Sequence, residues 1–354
     1  MKTTHPRAAG VVRSRWAGVA SGLAVLVCAV VIATVRLPFV VWSAGAVTDL
    51  YAVSDGQSPL KVTGVATYAP SGKLQVAGVQ ATVQPVSLLR GLRAFYDRTQ
   101  AVVPVTVGNP IGAPIAQVAL GSDSLEAQRA AEAAALQLAG LPVERAPRVV
   151  SVMATGPSFS WLQPDDVIEA VGSTTVSSVA DFNQAVGQHS VGDTIQLTVT
   201  RGGQRLDNQI DIVASGSSAE QQTPSLGVTL TDSYLLGAVD VQVGATDVGS
   251  GLMLAIAVYD LVTPEALLGG LSVAGAGAID ANGAVTGVAG ADQRLQAAQA
   301  AGASVFLLPA SNCANVSLKG ITMTVVAVTA LPEAVTALAN LAAGRAWQVP
   351  TCQS

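Results

Sequence analysis

A serine placed between two glycines is the position in this chain best suited to covalent chemistry. Gly249-Ser250-Gly251 directly precedes an apolar stretch, where a serine at the start of a helix can attack a carbonyl group once a base activates it. The same position also suits a serine that only caps the helix. The choice between these roles depends on whether a base lies within reach of the serine.

Side chains that could serve as this base are scarce. The lysines and histidines are Lys2, Lys61, Lys73, Lys319, His5 and His189. No lysine lies between residues 74 and 318, and His189 belongs to a different region of the chain from Ser250. No histidines and cysteines have the spacing of metal ligands, so the sequence predicts neither a metal site nor another cofactor.

The elements that position Ser250 follow from the hydrophobic pattern. Strands alternate with helices from Leu226 onward, which predicts an α/β domain. Asp123 and Glu126 have the spacing of a capping box, and Gly140 ends the helix that they begin. The predicted helices of these regions cover residues 123–140, 251–261, 293–301 and 331–341.

Residues 146–214 carry a different pattern, which is rich in strands. A strand, the turn Pro164-Asp165-Asp166-Val167-Ile168, a short helix and a Gly202-Gly203 hairpin follow one another. This order resembles the PDZ domains attached to bacterial proteases, which carry glycine at the position of Asp165. The turn must avoid positive φ here or tolerate it, which aspartate can do at modest cost. The alternative is a generic small β-rich insertion.

The PDZ resemblance implies a peptide-binding groove. PDZ domains add an extended peptide to a sheet edge, commonly with its C-terminal carboxylate held by backbone amides. The predicted lining is Val149, Val150, Ser151, Val152 and Met153 on a strand, with Val179, Phe182 and Val186 on a helix. The expected partners are therefore peptides or unfolded protein chains.

Three motifs nearer the C-terminus resemble the proteolytic domain of Lon-type proteases. They are Gly249-Ser250-Gly251-Leu252-Met253, Ile279-Asp280-Ala281-Asn282-Gly283 and Gly287-Val288-Ala289-Gly290-Ala291-Asp292-Gln293-Arg294. The resemblance extends back to Pro38, and it is to the membrane-anchored serine endopeptidases that carry a PDZ domain and no ATPase domain. It implies a Lon-type α/β fold with an inserted PDZ-like domain. The absence of a P-loop sequence agrees, and we expect no ATP binding.

The Lon resemblance implies a Ser–Lys dyad, and both of its positions are altered in this chain. Aligned without gaps, the family's serine falls on Gly249, its neighbouring alanine on Ser250 and its lysine on Arg294. Arginine stays protonated in proteins, so it cannot take a proton from serine. This favours a catalytically impaired pseudoprotease that binds peptides. An active ATP-independent endopeptidase that uses Ser250 is one alternative. Another is a structural role in a homo-oligomer or beside an active Lon-like paralogue.

Residues 16–35 form an uncharged apolar run of 20 residues, about the length that spans a bilayer. Four basic residues precede the run, one follows it, and residues 1–36 contain no acid. The positive-inside rule then places the N-terminus in the cytoplasm and the bulk of the chain outside. We expect a single-pass anchor in the cell membrane. The alternative is a cleaved signal peptide with its site at Ala44-Gly45-Ala46.

The part of the chain beyond this run is acidic and contains two cysteines. All 23 acidic residues lie there with 13 of the 18 basic residues, a balance that argues against a nucleic-acid partner. An oxidising compartment would permit a disulfide between Cys313 and Cys352, and two free thiols are the alternative. The predicted organisation is a basic tail (1–15), a transmembrane helix (16–36), the N-terminal part of the Lon-like region (37–145), the PDZ-like domain (146–214), and a linker with the Lon-like proteolytic domain (215–354).

Overall fold

The computed structural model describes most of the chain that follows the predicted anchor. The described residues are 21, 23–27, 30, 32, 34–36, 38–53, 59–82, 86–97, 99–104, 122–215, 223–243 and 250–352. Within this set, no helix has both the length and the apolar character needed to cross a bilayer. Part of the predicted anchor lies outside the described residues, so the anchor stays a prediction. Gly249 also lies outside them.

Eighteen strands lie within the described ranges. They are β1 (Phe39–Asp49), β2 (Leu60–Thr63), β3 (Lys73–Ala81), β4 (Ala101–Pro104), β5 (Glu144–Val152), β6 (Val167–Val171), β7 (Thr174–Thr175), β8 (Thr194–Arg201), β9 (Gln204–Asp211), β10 (Val213–Ser215), β11 (Thr223–Ser225), β12 (Val228–Leu235), β13 (Asp240–Val243), β14 (Ser272–Gly275), β15 (Ala278–Ile279), β16 (Val285–Thr286), β17 (Val305–Pro309) and β18 (Thr324–Val328).

Five of the helices in the described ranges confirm predictions, with ends that differ by at most two residues, while the helices at Leu88–Tyr96 and Ala310–Cys313 were not predicted. In chain order the helices are α1 (Leu88–Tyr96), α2 (Ser122–Leu138), α3 (Val179–Gly187), α4 (Gly251–Val262), α5 (Ala291–Ala300), α6 (Ala310–Cys313) and α7 (Leu331–Ala342), followed by a 3-10 turn at Ala346–Gln348. The helix predicted over 251–261 is α4, and the one predicted over 123–140 is α2. The mixed α/β class is therefore as expected.

The chain forms two compact units, of which the smaller comprises Met1–Ala44 and Val79–Val118. In this unit the start of β1 pairs antiparallel with β4, from Phe39 opposite Pro104 to Trp42 opposite Ala101. Helix α1 turns its small residue Ala94 inward, onto a cluster with Val41 and Val86. This cluster holds one face of α1 against the strands.

The larger unit comprises Gly45–Gly78 and Ala119–Ser354, and one of its layers is a mostly parallel sheet. Strands β18, β17, β14 and β3 lie side by side in that order, and their pairings are parallel. Helix α4 is apolar on nearly every side, which is typical of a helix buried all round. It packs against α2, whose alanines allow close approach, and Leu252 and Met253 belong to the core between them.

The same unit contains a second, antiparallel sheet in the order β12-β5-β6-β8-β9, with β7 paired to β6. Its inward-facing apolar residues and helix α3 enclose a separate core that includes Val149, Ile168, Phe182 and Leu197. This is the PDZ-like domain expected from the sequence. Its sheet extends past the predicted boundary at 214, because β12 completes it.

The C-terminal segment is joined to the larger unit by a disulfide between Cys313 and Cys352, whose Cα atoms are 5.4 Å apart. The bond closes a loop across a sequence separation of 39 residues. Two residues before Cys352, the carbonyl of Pro350 accepts a hydrogen bond from the amide of Ala327 in β18. The C-terminal segment therefore follows the outer edge of β18. A covalent link of this kind restricts the unfolded chain and favours the folded one.

Candidate functional site

The outer edge of β12 is the feature of the PDZ-like domain that fits peptide capture. Strand β12 pairs with β5 over eight residues, from Val228 opposite Val152 to Leu235 opposite Glu144. Within the described part of the chain, its other edge has no strand partner. An edge of this kind presents a row of backbone donors and acceptors to which an extended peptide can add.

The structure corrects the strand that the sequence analysis assigned to the groove. Val149, Val150, Ser151 and Val152 lie in β5, which is an internal strand. Strand β12 pairs with one edge of β5. On the other edge, the amide of Val149 donates to the carbonyl of Asp166, and the carbonyl of Val149 accepts from the amide of Asp165. An internal strand has no free ladder positions, so β5 offers no edge to which a peptide could add.

Met153, the last residue of the predicted strand lining, lies just beyond β5. Its amide donates to the carbonyl of Gly227 at 2.8 Å, and its side chain is exposed. The backbone of Met153 therefore supports the loop that precedes β12 and is not available to a peptide.

Helix α3 lies beside β12, and two sets of hydrogen bonds fix its start. Ser178 caps the helix by accepting from the amide of Asp181, and Asp232 of β12 accepts from the amide of Val179 at 2.6 Å. Hydrogen bonds from Ser177 and then Ser178 hold the pKa of Asp181 below its usual range. The bond from Val179 to Asp232 joins the helix directly to the edge strand.

Helix α3 and strand β12 contribute apolar residues to the same core. Phe182 and Val186 on α3 are buried in the core of the PDZ-like domain, as expected for its helix face. Val228 and Leu230 on β12 pack against that core and remain partly exposed. Val179, at the start of α3, is half-buried. The predicted helix residues thus lie on the side of α3 that faces the domain core, and their part in a peptide-binding groove stays a prediction.

A tightly held loop leads into β12. Gly227 has a φ of 70°, and a Cβ there would lie 3.0 Å from the Cα of Gly156, so glycine is needed for conformation and for space. Leu226 is buried, and its carbonyl accepts from Ser158 Oγ at 2.7 Å. The amide of Gly227 donates to Ser225 Oγ at 3.1 Å, so the turn directly before the edge strand is fixed on both sides of this glycine.

Sequence reasoning missed β12 and this loop as parts of the PDZ-like domain. It assigned 215–223 to a linker, of which residues 216–222 lie outside the described ranges. The short hairpin of β10 and β11 lies on either side of them, with Val213 opposite Ser225. The signal that could have found the strand is the Leu226-Gly227-Val228 turn followed by residues of alternating burial.

Two ion pairs support the turn that carries Asp165. Asp165 has a φ of 74° and is the one non-glycine residue with positive φ in the described ranges, so the turn tolerates positive φ. Arg148, itself buried, donates to Asp165 at 2.5 Å and also pairs with Glu126 of α2. The neighbouring Asp166 is fully buried and accepts two hydrogen bonds from Arg201, at 2.6 and 2.7 Å.

Ser250 stands at the start of α4 and is almost completely buried. Its side chain does not make the hydrogen bond of a helix cap. The next amides point into packed structure, since Leu252 donates to the carbonyl of Gly277 at 3.0 Å and Gly251 lies against Ile279. The amide of Leu252 is thereby unavailable to stabilise an oxyanion in this arrangement.

Arg294 lies in the first turns of α5 with only 3% of its surface exposed. Its Nη1 donates to the carbonyl of Ala77 at 2.7 Å, and its Nε donates to the carbonyl of Ala289 at 3.3 Å. Because a guanidinium stays protonated, this position supplies a fixed positive charge and cannot accept a proton. Carbonyl oxygens, which are acceptors only, suit that charge.

Lys319 and His189 are the other basic residues that the sequence analysis considered as a substitute for the lysine. The loop that carries Lys319 contacts α5, where Asp292 accepts from the amide of Ser317 at 2.8 Å. Lys319 is exposed beside Gly320, in a turn before β18. His189 follows α3 in the PDZ-like domain, where its amide donates to the carbonyl of Val186. No group of three or more metal-binding side chains was found in the described residues.

The comparisons with known proteins agree with the β-rich domain. The PDZ domain family matches residues 129–212, which begin within α2 and include strands β5 to β9. The chain contains a PDZ domain. That match ends before Ser250, so the Lon-type resemblance remains a prediction for the region that carries Ser250 and Arg294.

Relatives of the PDZ domain occur in bacterial proteins. The chain is 36% identical over 78 residues to the serine protease Do-like HtrA of Lactococcus lactis, which is 22% of this chain and 19% of that protease. The solved PDZ domain of the SdrC-like protein from Listeria monocytogenes is 25% identical, with 24% of this chain and 86% of that chain covered and a TM-score of 0.23. The matching PDZ domain from Listeria innocua is 22% identical, with 24% and 92% covered and a TM-score of 0.22.

Proposed function

We propose that this chain captures extended peptides, C-terminal tails or unfolded protein segments by adding them to the edge of β12. The observation that carries the proposal is the edge of β12 beside α3, which has no strand partner among the described residues and follows the fixed turn at Gly227. Backbone hydrogen bonds would supply affinity, and the apolar space against Val228 and Leu230 would select side chains.

We further propose that the α/β region is a protease-like region that has lost its chemistry. Arg294 supports this, because its guanidinium is buried among backbone carbonyls where the Lon resemblance requires a neutral amine. Gly249, at the position of the family's serine, lacks a hydroxyl group altogether. In this account bound chains are held or presented without being cleaved.

The proposed location is the outer face of a cell membrane, with residues 16–35 as a single-pass anchor. The charge asymmetry around that run favours this orientation. The disulfide between Cys313 and Cys352 also supports it, because such bonds persist mainly in oxidising compartments.

An active endopeptidase that uses Ser250 is the second candidate function. Its support is the position of Ser250 at the first turn of a buried apolar helix, where a nucleophile can be held rigidly. It needs a base, and no lysine lies between residues 74 and 318 of the sequence. A protease activity that depends on Ser250 would favour it.

A matched pair of substitutions on β12 tests peptide capture. Leu230→Asp places a charge against the apolar core between β12 and α3, while Thr229→Asp places the same charge on an exposed neighbouring residue. We expect Leu230→Asp to weaken binding of an unfolded-protein peptide at least about tenfold and Thr229→Asp to change it by less than about threefold. Fluorescence anisotropy with a labelled peptide measures both, and equal affinities in a folded Leu230→Asp variant would contradict the proposed groove.

A further inference from the structure

Helix α1 carries an apolar stripe that the rest of the described structure leaves uncovered. Leu89, Leu92, Phe95 and Tyr96 are exposed by 58%, 47%, 77% and 83%. Their spacing along the helix places them on one side, with Leu88. The opposite side, at Ala94, is the one that packs into the core of the smaller unit. A stripe of this size on water-facing helix is unfavourable unless something covers it.

The charges at the border of this stripe indicate what covers it. Arg93 borders the stripe, Arg90 lies nearer the side of Ala94, both are exposed, and no acidic residue lies within α1. The two aromatic rings at its end meet edge to face, with centroids 5.9 Å apart. Apolar side chains bordered by arginines and ended by aromatic residues are typical of helices that lie in a membrane interface.

The start of α1 is joined directly to the end of the predicted anchor. Arg36 forms an antiparallel bridge with Ser87, and the amide of Leu88 donates to the carbonyl of Val35 at 3.3 Å. The helix therefore begins where the apolar run ends. A bilayer crossed by residues 16–35 would bring its headgroup layer to the height of α1.

The described part of the apolar run is itself helical and uncovered. Leu23, Val25, Leu26 and Val27 have more than half of their surface exposed. Thus two exposed apolar surfaces, on the run and on α1, adjoin at one hydrogen-bonded junction. One lipid bilayer that covers both surfaces is a simpler explanation than two separate protein partners.

We propose that α1 lies in the lipid interface of the membrane leaflet that faces the folded domains. Leu89, Leu92 and Phe95 enter the boundary between headgroups and acyl chains, while Arg90 and Arg93 contact lipid phosphates. The stripe is short, so it binds weakly alone and acts because the anchor keeps it at the surface. This inference rests on the proposed anchor. The function of α1 in this position is to fix the smaller unit against the membrane.

Fluorescence quenching in the full-length chain tests this placement. In a Cys28→Ser background, single cysteines replace Leu92, Leu23 or Val191 and carry an environment-sensitive NBD label. Leu23 reports the anchor, and Val191 is an exposed apolar control in the PDZ domain. The protein is reconstituted into vesicles of phosphatidylethanolamine and phosphatidylglycerol. Quenching is measured with nitroxide-labelled lipid and with aqueous iodide.

We expect the labels at positions 23 and 92 to be quenched by the nitroxide lipid and the label at 191 to be quenched by iodide alone. Arg90→Glu with Arg93→Glu should reduce lipid quenching at position 92 and leave it unchanged at 23. Lipid quenching at 23 with iodide quenching at 92 would overturn the inference and leave the anchor standing. Protection of 92 from both quenchers would show that a protein surface covers α1, which also overturns it. Loss of lipid quenching at both 23 and 92 would overturn the anchor and the inference together.

Discussion

The edge of β12 and the region of Ser250 and Arg294 differ in how their polar groups are used. The outer backbone groups of β12 have no strand partner among the described residues, and the groove beside them keeps partly exposed apolar side chains. At Arg294, by contrast, the guanidinium binds backbone carbonyls, and the amide of Leu252 near Ser250 is occupied. A recognition site needs unused hydrogen-bonding groups, and a structural site consumes them. The comparison therefore favours binding over chemistry.

The largest effect is expected from removing the buried charge. Arg294→Ala leaves the carbonyls of Ala77 and Ala289 without their donor and opens a cavity on α5. We expect the free energy of unfolding to fall by about 4 kcal/mol. The exposed Arg205→Ala serves as the control and should change it by less than about 0.5 kcal/mol. Urea unfolding followed by circular dichroism measures both, and equal stabilities would show that Arg294 is not part of the structural support.

The next prediction separates the two regions by pH. Burial raises the pKa of Glu132 on α2 to about 7, against an ordinary value of 4.5, although Arg129 and Gln128 act in the opposite direction. The folded carboxyl therefore keeps its proton over a pH range in which the unfolded one releases it. The contribution of this carboxyl to the free energy of unfolding is therefore fully present below about pH 4.5, and about 3 kcal/mol is lost as the pH rises to about 7.

Glu132→Gln should remove this loss, while the exposed Glu144→Gln should retain it. Helices α2 and α4 share one core, so loss of stability at Glu132 should also open α4. After correction for the intrinsic pH dependence of amide exchange, hydrogen exchange in α4 should accelerate as the pH rises. Corrected exchange in β5 and β8, which belong to the other core, should stay constant. A pH dependence that is identical in wild type and Glu132→Gln would show that this carboxyl is not the cause.

A smaller effect is expected at the left-handed turn of the PDZ domain. Asp165→Ala puts a side chain without polar groups at a φ of 74° and removes the partner of Arg148, which should cost about 2 kcal/mol. Asp165→Gly loses the same ion pair but suits the conformation, so it should stay within about 1 kcal/mol of wild type. Thermal unfolding measures the difference. A glycine variant as unstable as the alanine variant would assign the effect to the ion pair instead of the backbone.

Local signals predicted much of the fold, and long-range pairing explains what they missed. The apolar run of α4 and the capping residues of α2 identified those helices, and the turn at Asp165 was located correctly. The pairing of β12 with the sheet of the PDZ-like domain was not predicted, because its partner β5 lies about 80 residues earlier in the chain. The burial of Glu132 was also not predicted, because its alanine-rich helix has no apolar stripe that would indicate which side is buried.

For the candidate site, the sequence supplied residue types and not their surroundings. Arg294 was identified as a side chain that cannot act as a base, and its carbonyl partners emerge only when Ala77 is brought beside it from 217 residues away. The predicted strand residues of the groove lie in the internal strand β5, and Val179, Phe182 and Val186 stay a prediction for its helix side. Position 249 lies outside the described residues, so its role still rests on the sequence alone.

The decisive measurement is cleavage of an unfolded protein substrate by the full-length chain, run beside Ser250→Ala. We expect both folded proteins to bind the substrate with the same affinity and neither to cleave it. Binding without cleavage in both would leave the edge of β12 as the working part of the molecule. Hydrolysis by the wild type that disappears in Ser250→Ala would contradict the claim and show that Ser250 has a base.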